Sequence, residues 1–192
     1  MAAHRGDRQR ARRQPDHSEE LQQPVRCPPD VAEQIVQEYP LEDFASPELA
    51  VGAVGTDATY SCTARPAHVQ LPRYVPTYEY EFADRTAPQV FLPATDGFEY
   101  GAAHASELPY LFGLPTAAHP ADLTNPQQEL ATSMRRYWTS FARTGVPEAD
   151  GTDRWPAFTP AAPSIQRFSE EGVETRTDFA ERHRCEFWAS LG

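Results

Sequence analysis

One histidine, His104, stands in the stretch YGAAHASELPYLFG, residues 100–113, among small residues that let the backbone turn tightly and leave the imidazole uncrowded. An imidazole titrates near neutrality, so a ring placed this way suits proton exchange with a reacting group. A histidine in a polar turn is equally at home on an ordinary surface, and one ring makes no active site. Glu107 follows at the spacing of a His-x-x-Glu helical pair, but that segment has no second histidine. The chain also has no His-Glu-x-x-His and no Cys-x-x-Cys, which argues against zinc. No Gly-x-Gly-x-x-Gly or Gly-x-x-x-x-Gly-Lys is present to cradle phosphates, so neither a nucleotide cofactor nor a metal is expected. A serine hydrolase needs its nucleophile on a sharp turn written Gly-x-Ser-x-Gly, and none of the nine serines is so flanked. The chain offers a candidate base without its nucleophile.

The elements that must position this histidine can be read from the pattern on either side of it. Val31, Ile35 and Val36 are spaced as a short helix closed at Tyr39-Pro40. Ser46-Pro47-Glu48 opens another, with a capping serine and a proline in the first turn. A longer helix is expected from residue 56 or 57 towards 71, kinked or broken at Pro66 and carrying Cys62. The segment VPTYEYEF, residues 75–82, alternates: Tyr78, Tyr80 and Phe82 share one face, and Thr77, Glu79 and Glu81 the other. That is a strand. Residues 83–103 read as the loop that carries the chain from this strand to His104.

Asn125-Pro126 begins the clearest helix, with Leu130, Met134, Trp138 and Phe141 along one stripe and an end near Gly145. WPAF at 155–158 reads as an aromatic turn. Short extended pieces at 165–168 and 173–176 lead into a last helix over 178–191. Helices outnumber strands in this mixed α and β pattern, no repeat or linker divides it, and about three strands are too few for an independent sheet. The chain reads as part of a larger fold.

Composition narrows the function classes. The 192 residues, 40% hydrophobic and 11% aromatic, suffice for one domain with a core. No apolar run approaches the roughly 20 residues of a membrane span, and the N-terminus shows no apolar stretch of signal-peptide type, which leaves localisation open. All 17 basic residues are Arg, the bias of a GC-rich coding sequence. Residues 1–26 hold six Arg against four acids (net +2), and the remainder holds eleven Arg against twenty-four acids (net −13). So acidic a body does not seek phosphate backbones, and no nucleic-acid partner is expected. The Arg-rich stretch 1–26 is expected to be a disordered, solvated segment ahead of a single unit over 27–192.

Several ordered motifs together resemble a known family. YGAAHASELPYLFG is preceded by PTYEYEFADRTAP and followed by NPQQELATSMRRYWTSFARTGVPEADGTDRWPAF and by RCEFW. The set is similar to the C-terminal third of the type-B carboxylesterases, the family of cholinesterases and bacterial para-nitrobenzyl esterases, from about residue 28 to the end. The resemblance implies the C-terminal fragment of an α/β-hydrolase fold, helix-rich and holding a few strands of the central sheet. In that fold the triad runs Ser, then acid, then His, so a C-terminal portion carries the histidine without the serine.

On this resemblance His104 is the catalytic general base and Glu107 a supporting group beside the catalytic centre. Tyr78, Tyr80, Tyr137, Trp138, Phe141 and Trp155 are core packing. The substrate is a small carboxylic ester, and full-length relatives are secreted. The resemblance also pairs Cys62 with Cys185 and leaves Cys27 alone, whereas the sequence by itself allows three pairings. Such a bridge is worth roughly 4–5 kcal/mol in the chain-entropy account.

The sequence departs from the family upstream of Cys27, where the acidic triad member belongs. Asp7, Asp16, Glu19 and Glu20 stand there in no family-like context, and none is assigned as the acid. A truncated or frame-shifted gene is the expected explanation, with activity arising only when the missing part complements this one. A catalytically dead, hydrolase-like binding module is the alternative.

Overall fold

The computed structural model describes residues 28–89, 91, 97–113, 123–148 and 150–191. The expected disordered segment 1–26 and Cys27 lie outside the described residues. Three strands form one sheet in the order β1 (Glu79–Phe82), β2 (Ile165–Ser169), β3 (Gly172–Arg176). β1 and β2 are parallel, with Glu79 opposite Ile165 and Phe82 opposite Phe168, and β2 turns back antiparallel into β3. Parallel neighbours need a crossover, and the long helix between them supplies it. The strand is shorter than the alternation of residues 75–82 suggests because β2 offers partners only from Ile165 onward. The Thr77 carbonyl instead accepts from the Phe158 N–H at 2.8 Å.

Seven α-helices and one π-helical turn accompany the sheet among the described residues. α1 spans Pro29–Glu38, α2 Pro47–Thr56, α3 Cys62–Gln70, α4 Leu108–Phe112 and α5 Asn125–Thr144, while α6 spans Phe179–Arg182 and α7 Cys185–Ser190; the π-helical turn is Asp57–Ser61. α5 forms where the stripe and its end signals predict. The Thr124 N–H donates to Gln127 Oε1 at 3.0 Å in a capping box, and Gly145 closes the helix at φ 77°, where glycine is favoured. Its buried face is Gln127, Leu130, Ala131, Met134, Tyr137 and Ser140. This face packs on the sheet side that carries Tyr80 and Phe168. The Tyr80 ring lies 4.9 Å from Trp138, and Tyr137 meets Trp155 at 5.4 Å and Phe168 at 5.8 Å, all edge-to-face. Each such pair adds about 0.5–1.5 kcal/mol beyond the area it buries. Tyr137 and Trp155 are buried as the family resemblance implied, whereas Tyr80 is 44% and Phe141 47% exposed.

Two helical expectations need correction. The helix carrying Cys62 neither starts near 56 nor breaks at Pro66. α2 continues without a break through the π-turn into α3, with Pro66 inside α3 on its exposed side. The segment 178–191 is two helices instead of one. Arg184, at φ 52°, breaks it, because its guanidinium lies over the Tyr39 ring at 4.3 Å and its Nε donates to the Glu38 carbonyl at 2.9 Å. The disulfide Cys62–Cys185, with Cα atoms 5.1 Å apart, then ties α7 to α3 and is the bridge the resemblance implied.

Candidate functional site

His104 opens a turn, residues 104–107, that runs directly into α4. Three local bonds build it: the Ala103 N–H donates to the Gly101 carbonyl at 2.9 Å, the Ser106 N–H to the Ala103 carbonyl at 3.1 Å, and the Ser106 hydroxyl to the same carbonyl at 2.7 Å. Gly101 and Ala105 both take left-handed backbone, at φ 65° and 69°. For Ala105 that conformation costs about 1–2 kcal/mol, so neighbouring structure must hold it. Ala105 and Ser106 are buried while His104 is exposed, so the turn keeps its own backbone inside and presents the imidazole outward.

What holds the turn is an anchor at the carboxyl end of β1. Asp84 follows that strand and is fully buried. It accepts from the Tyr110 hydroxyl at 2.6 Å, from Gln127 Nε2 at 3.2 Å, and from the Thr86 N–H and hydroxyl at 2.9 and 2.7 Å. Tyr110 belongs to α4, the helix that follows His104, and its carbonyl accepts from Arg135 Nη1 of α5 at 2.7 Å. Burial and the Asp84 carboxylate together push the Tyr110 hydroxyl far above the ordinary tyrosine range, so it stays a donor. Gln127 joins the same anchor to the cap of α5. Gln89 Nε2 reaches the Gly101 carbonyl at 3.3 Å and steadies the other end of the loop.

Glu107 precedes α4 and is partly buried. Its carbonyl accepts from the Tyr110 and Leu111 N–H groups at 3.0 and 3.2 Å. Burial first, and then the Glu107 charge, raise the Tyr80 hydroxyl above its ordinary pKa. The one ring beside His104 among the described residues is Tyr60, which lies nearly parallel to it (interplanar 10°) with centroids 6.3 Å apart. Tyr60 projects from the π-turn, a helix irregularity often met at functional sites. No carboxylate among the described residues bonds the His104 ring. The arrangement is an accessible imidazole on a hydrogen-bonded turn at the carboxyl end of a parallel strand, the end at which open α/β sheets place their ligands. Among the described residues no group of three His, Cys, Asp or Glu side chains could hold a metal ion, and no described helix is long and apolar enough to cross a membrane.

Asp84, Tyr60 and Ala105 escaped the sequence reading, since the roles they hold come from contacts made across the fold. A second network also appeared only in the structure. His183 Nδ1 meets Asp57 Oδ1 at 2.5 Å, and its Nε2 lies 3.4 Å from Glu81 Oε1. Asp57 Oδ2 accepts from the Tyr39 hydroxyl at 2.8 Å, and that hydroxyl accepts from Trp188 Nε1 at 2.7 Å. Arg182 Nη2 reaches Glu81 Oε2 at 2.5 Å. Burial alone would lower the His183 pKa, but the bonds to Asp57 and Glu81 outweigh it and hold the imidazolium up to about 9. This network locks α6 and α7 to the π-turn from which Tyr60 projects.

The profile of a family described as the Carboxylesterase family matches residues 3–188. Carboxylesterase 4A of Bos taurus is 27% identical over 165 residues, covering 85% of this chain and 28% of that protein. Cocaine esterase of Homo sapiens is 30% identical over 122 residues, 64% of this chain and 21% of that protein. Among solved structures, a thermophilic PNB esterase superposes with a TM-score of 0.61 at 21% identity, covering 83% of this chain and 30% of that one. That likeness shows the α/β-hydrolase fold. The chain spans less than a third of the length of each of these proteins.

Proposed function

The chain belongs to the carboxylesterase family, and on that premise we propose that it carries the general base, His104, of a serine carboxylesterase whose nucleophile lies in residues outside this sequence. The observation that carries the reading is the rigid presentation of an exposed imidazole by the Asp84–Tyr110 anchor beyond the end of β1. A small carboxylic ester is the substrate class, drawn from the relatives' names.

In the proposed chemistry His104 accepts the proton of a serine hydroxyl as the oxygen attacks the ester carbonyl. The imidazolium then returns the proton to the leaving alcohol as the tetrahedral intermediate collapses. Water, activated by the same ring, attacks the acyl-serine, and the acid leaves. Glu107 supports the turn from the helix side. No Gly-x-Ser-x-Gly occurs in the 192 residues, so these steps need a second portion. β1 is one of the two edge strands of the described sheet, bonded on one side only, and Tyr80 on it is 44% exposed. Such an edge suits docking of a further strand.

The same missing motif favours a second reading, a hydrolase-like binding module with no catalysis. A chromogenic short-chain ester separates the two. The chain is assayed alone and then mixed with a separately expressed upstream portion of an esterase relative. Turnover that appears on mixing and vanishes with His104→Ala supports the catalytic reading. Stable association without turnover supports the binding module.

A further inference from the structure

The sheet face turned away from α5 carries two acids, Glu79 and Glu81, one residue apart on β1, and the structure treats them differently. Glu81 accepts from Arg182 through both of its oxygens, and His183 Nε2 lies 3.4 Å from its Oε1. Glu79 is more deeply buried, with 5% of its side chain accessible against 16% for Glu81, and His68 Nδ1 lies 3.1 Å from its Oε2. The contact is not aligned as a hydrogen bond, and neither carboxylate oxygen of Glu79 has a hydrogen-bond partner among the described residues. His68 can match the charge when its ring is protonated, but both oxygens still lack a donated hydrogen bond, and a buried carboxylate in that state has unused capacity for an N–H group or a cation.

Glu79 borders a cavity of about 530 Å³. That volume falls within the range of small-molecule sites. The cavity opens at the amino ends of the parallel strands, where Glu79 pairs in register with Ile165, whereas Asp84 and its anchor mark the carboxyl end of β1. Its walls combine apolar surface from Phe158, Ile165 and Phe187 with five carboxylate side chains against two guanidiniums and the His68 imidazole. Arg184 is already engaged with Tyr39 and the Glu38 carbonyl, and Asp178 with Arg176 and Arg182, which leaves the acids of the wall still in excess. The field therefore selects for positive charge, and the aromatic walls select for an organic one.

We propose that this cavity is a binding site for an organic ammonium ion, which donates N–H to Glu79 while its apolar part lies against Phe158, Ile165 and Phe187. The site does not depend on the ester-hydrolase reading and stands or falls separately from it.

The test titrates the purified chain with phenethylammonium chloride and, in parallel, with its neutral isostere 2-phenylethanol, followed by calorimetry and by NMR shifts. One saturable site is expected for the amine, with the alcohol weaker by about tenfold or more. Glu79→Gln keeps the shape and removes the charge, and it should weaken the amine by a similar factor. Ala180→Phe fills the cavity from α6 without touching the carboxylate and should abolish binding, whereas His104→Ala should bind as the parent does. If Glu79→Gln fails to fold, the amine-to-alcohol ratio and Ala180→Phe decide the matter. No saturable amine binding at millimolar concentration, equal binding of the alcohol, or unchanged binding in Ala180→Phe would each overturn the proposal.

Discussion

The Tyr110 hydroxyl and Asp84 Oδ2 share a buried 2.6 Å hydrogen bond across twenty-six residues, joining the end of β1 to the helix that follows His104. Neither group reaches solvent. The bond turns a strand end and a loop helix into one rigid unit, and the left-handed turn at Ala105 is held from that unit.

Removing the hydroxyl tests this directly. Tyr110→Phe keeps the ring that meets Phe82 edge-to-face at 5.0 Å and deprives Asp84 of one of its donors. Gln127 and Thr86 still serve the carboxylate, so the expected loss is about 1–2 kcal/mol, not a collapse of the fold. Urea unfolding measures it. An unchanged midpoint would show that the anchor contributes nothing to stability.

How much of this was legible in sequence follows from the range of the interactions. α5 was visible because its stripe, capping box and closing glycine are all local. His104 and Glu107 were singled out because the order of motifs around them resembles a family. The strand was visible by alternation, but the meaning of its polar face was not. The alternation placed Glu79 and Glu81 on one face without saying what meets it; His68 of α3, Arg182 of α6 and His183 do, and nothing near residue 80 announces them. The break at Arg184 was hidden for the same reason, since it is imposed by Tyr39 and Glu38, far away in the chain. Pro66 misled in the opposite direction, because a proline on an exposed helix side can be carried when both flanks are pinned.

The His183 network makes stability depend on pH in two windows. His183 is raised from 6.5 to about 9, so the stability it contributes is full below about 6.5 and is lost as pH climbs through 9. Burial would raise Glu81, but His183 and Arg182 overcome that and lower it from 4.5 to about 2, so its share is full above about 4.5 and is lost as pH falls through 2. Unfolding midpoints at pH 6, 7.5 and 9 should decline in that order. In His183→Gln the decline should flatten. A parent protein whose midpoint rises from pH 6 to 9 would contradict the assignment.

The Cys62–Cys185 bridge closes a separation of 123 residues. Cys62→Ala with Cys185→Ala is expected to cost about 2–5 kcal/mol, much of it through the greater freedom of the unfolded chain. Peptide mapping of the oxidised protein should find this pair joined and Cys27 alone. Recovery of Cys27 bridged to either partner would remove that account.

His104→Ala addresses function and fold separately. The ring is exposed, its aromatic neighbour among the described residues is Tyr60, and the backbone of its turn is held by Ala103, Ser106 and the Asp84 anchor. Loss of the imidazole should therefore change stability by no more than about 0.5 kcal/mol. In the proposed role the same change removes the only proton acceptor that makes the serine nucleophilic, and triad members act as a unit. Turnover of a short-chain ester by the complemented protein should then fall by about four orders of magnitude or more. Tyr60→Ala serves as the contrast. It strips the neighbouring ring without touching the base, so a catalytic role for His104 requires that it leave far more activity than His104→Ala does. Equal losses in the two variants, or near-normal turnover without His104, would defeat the assignment.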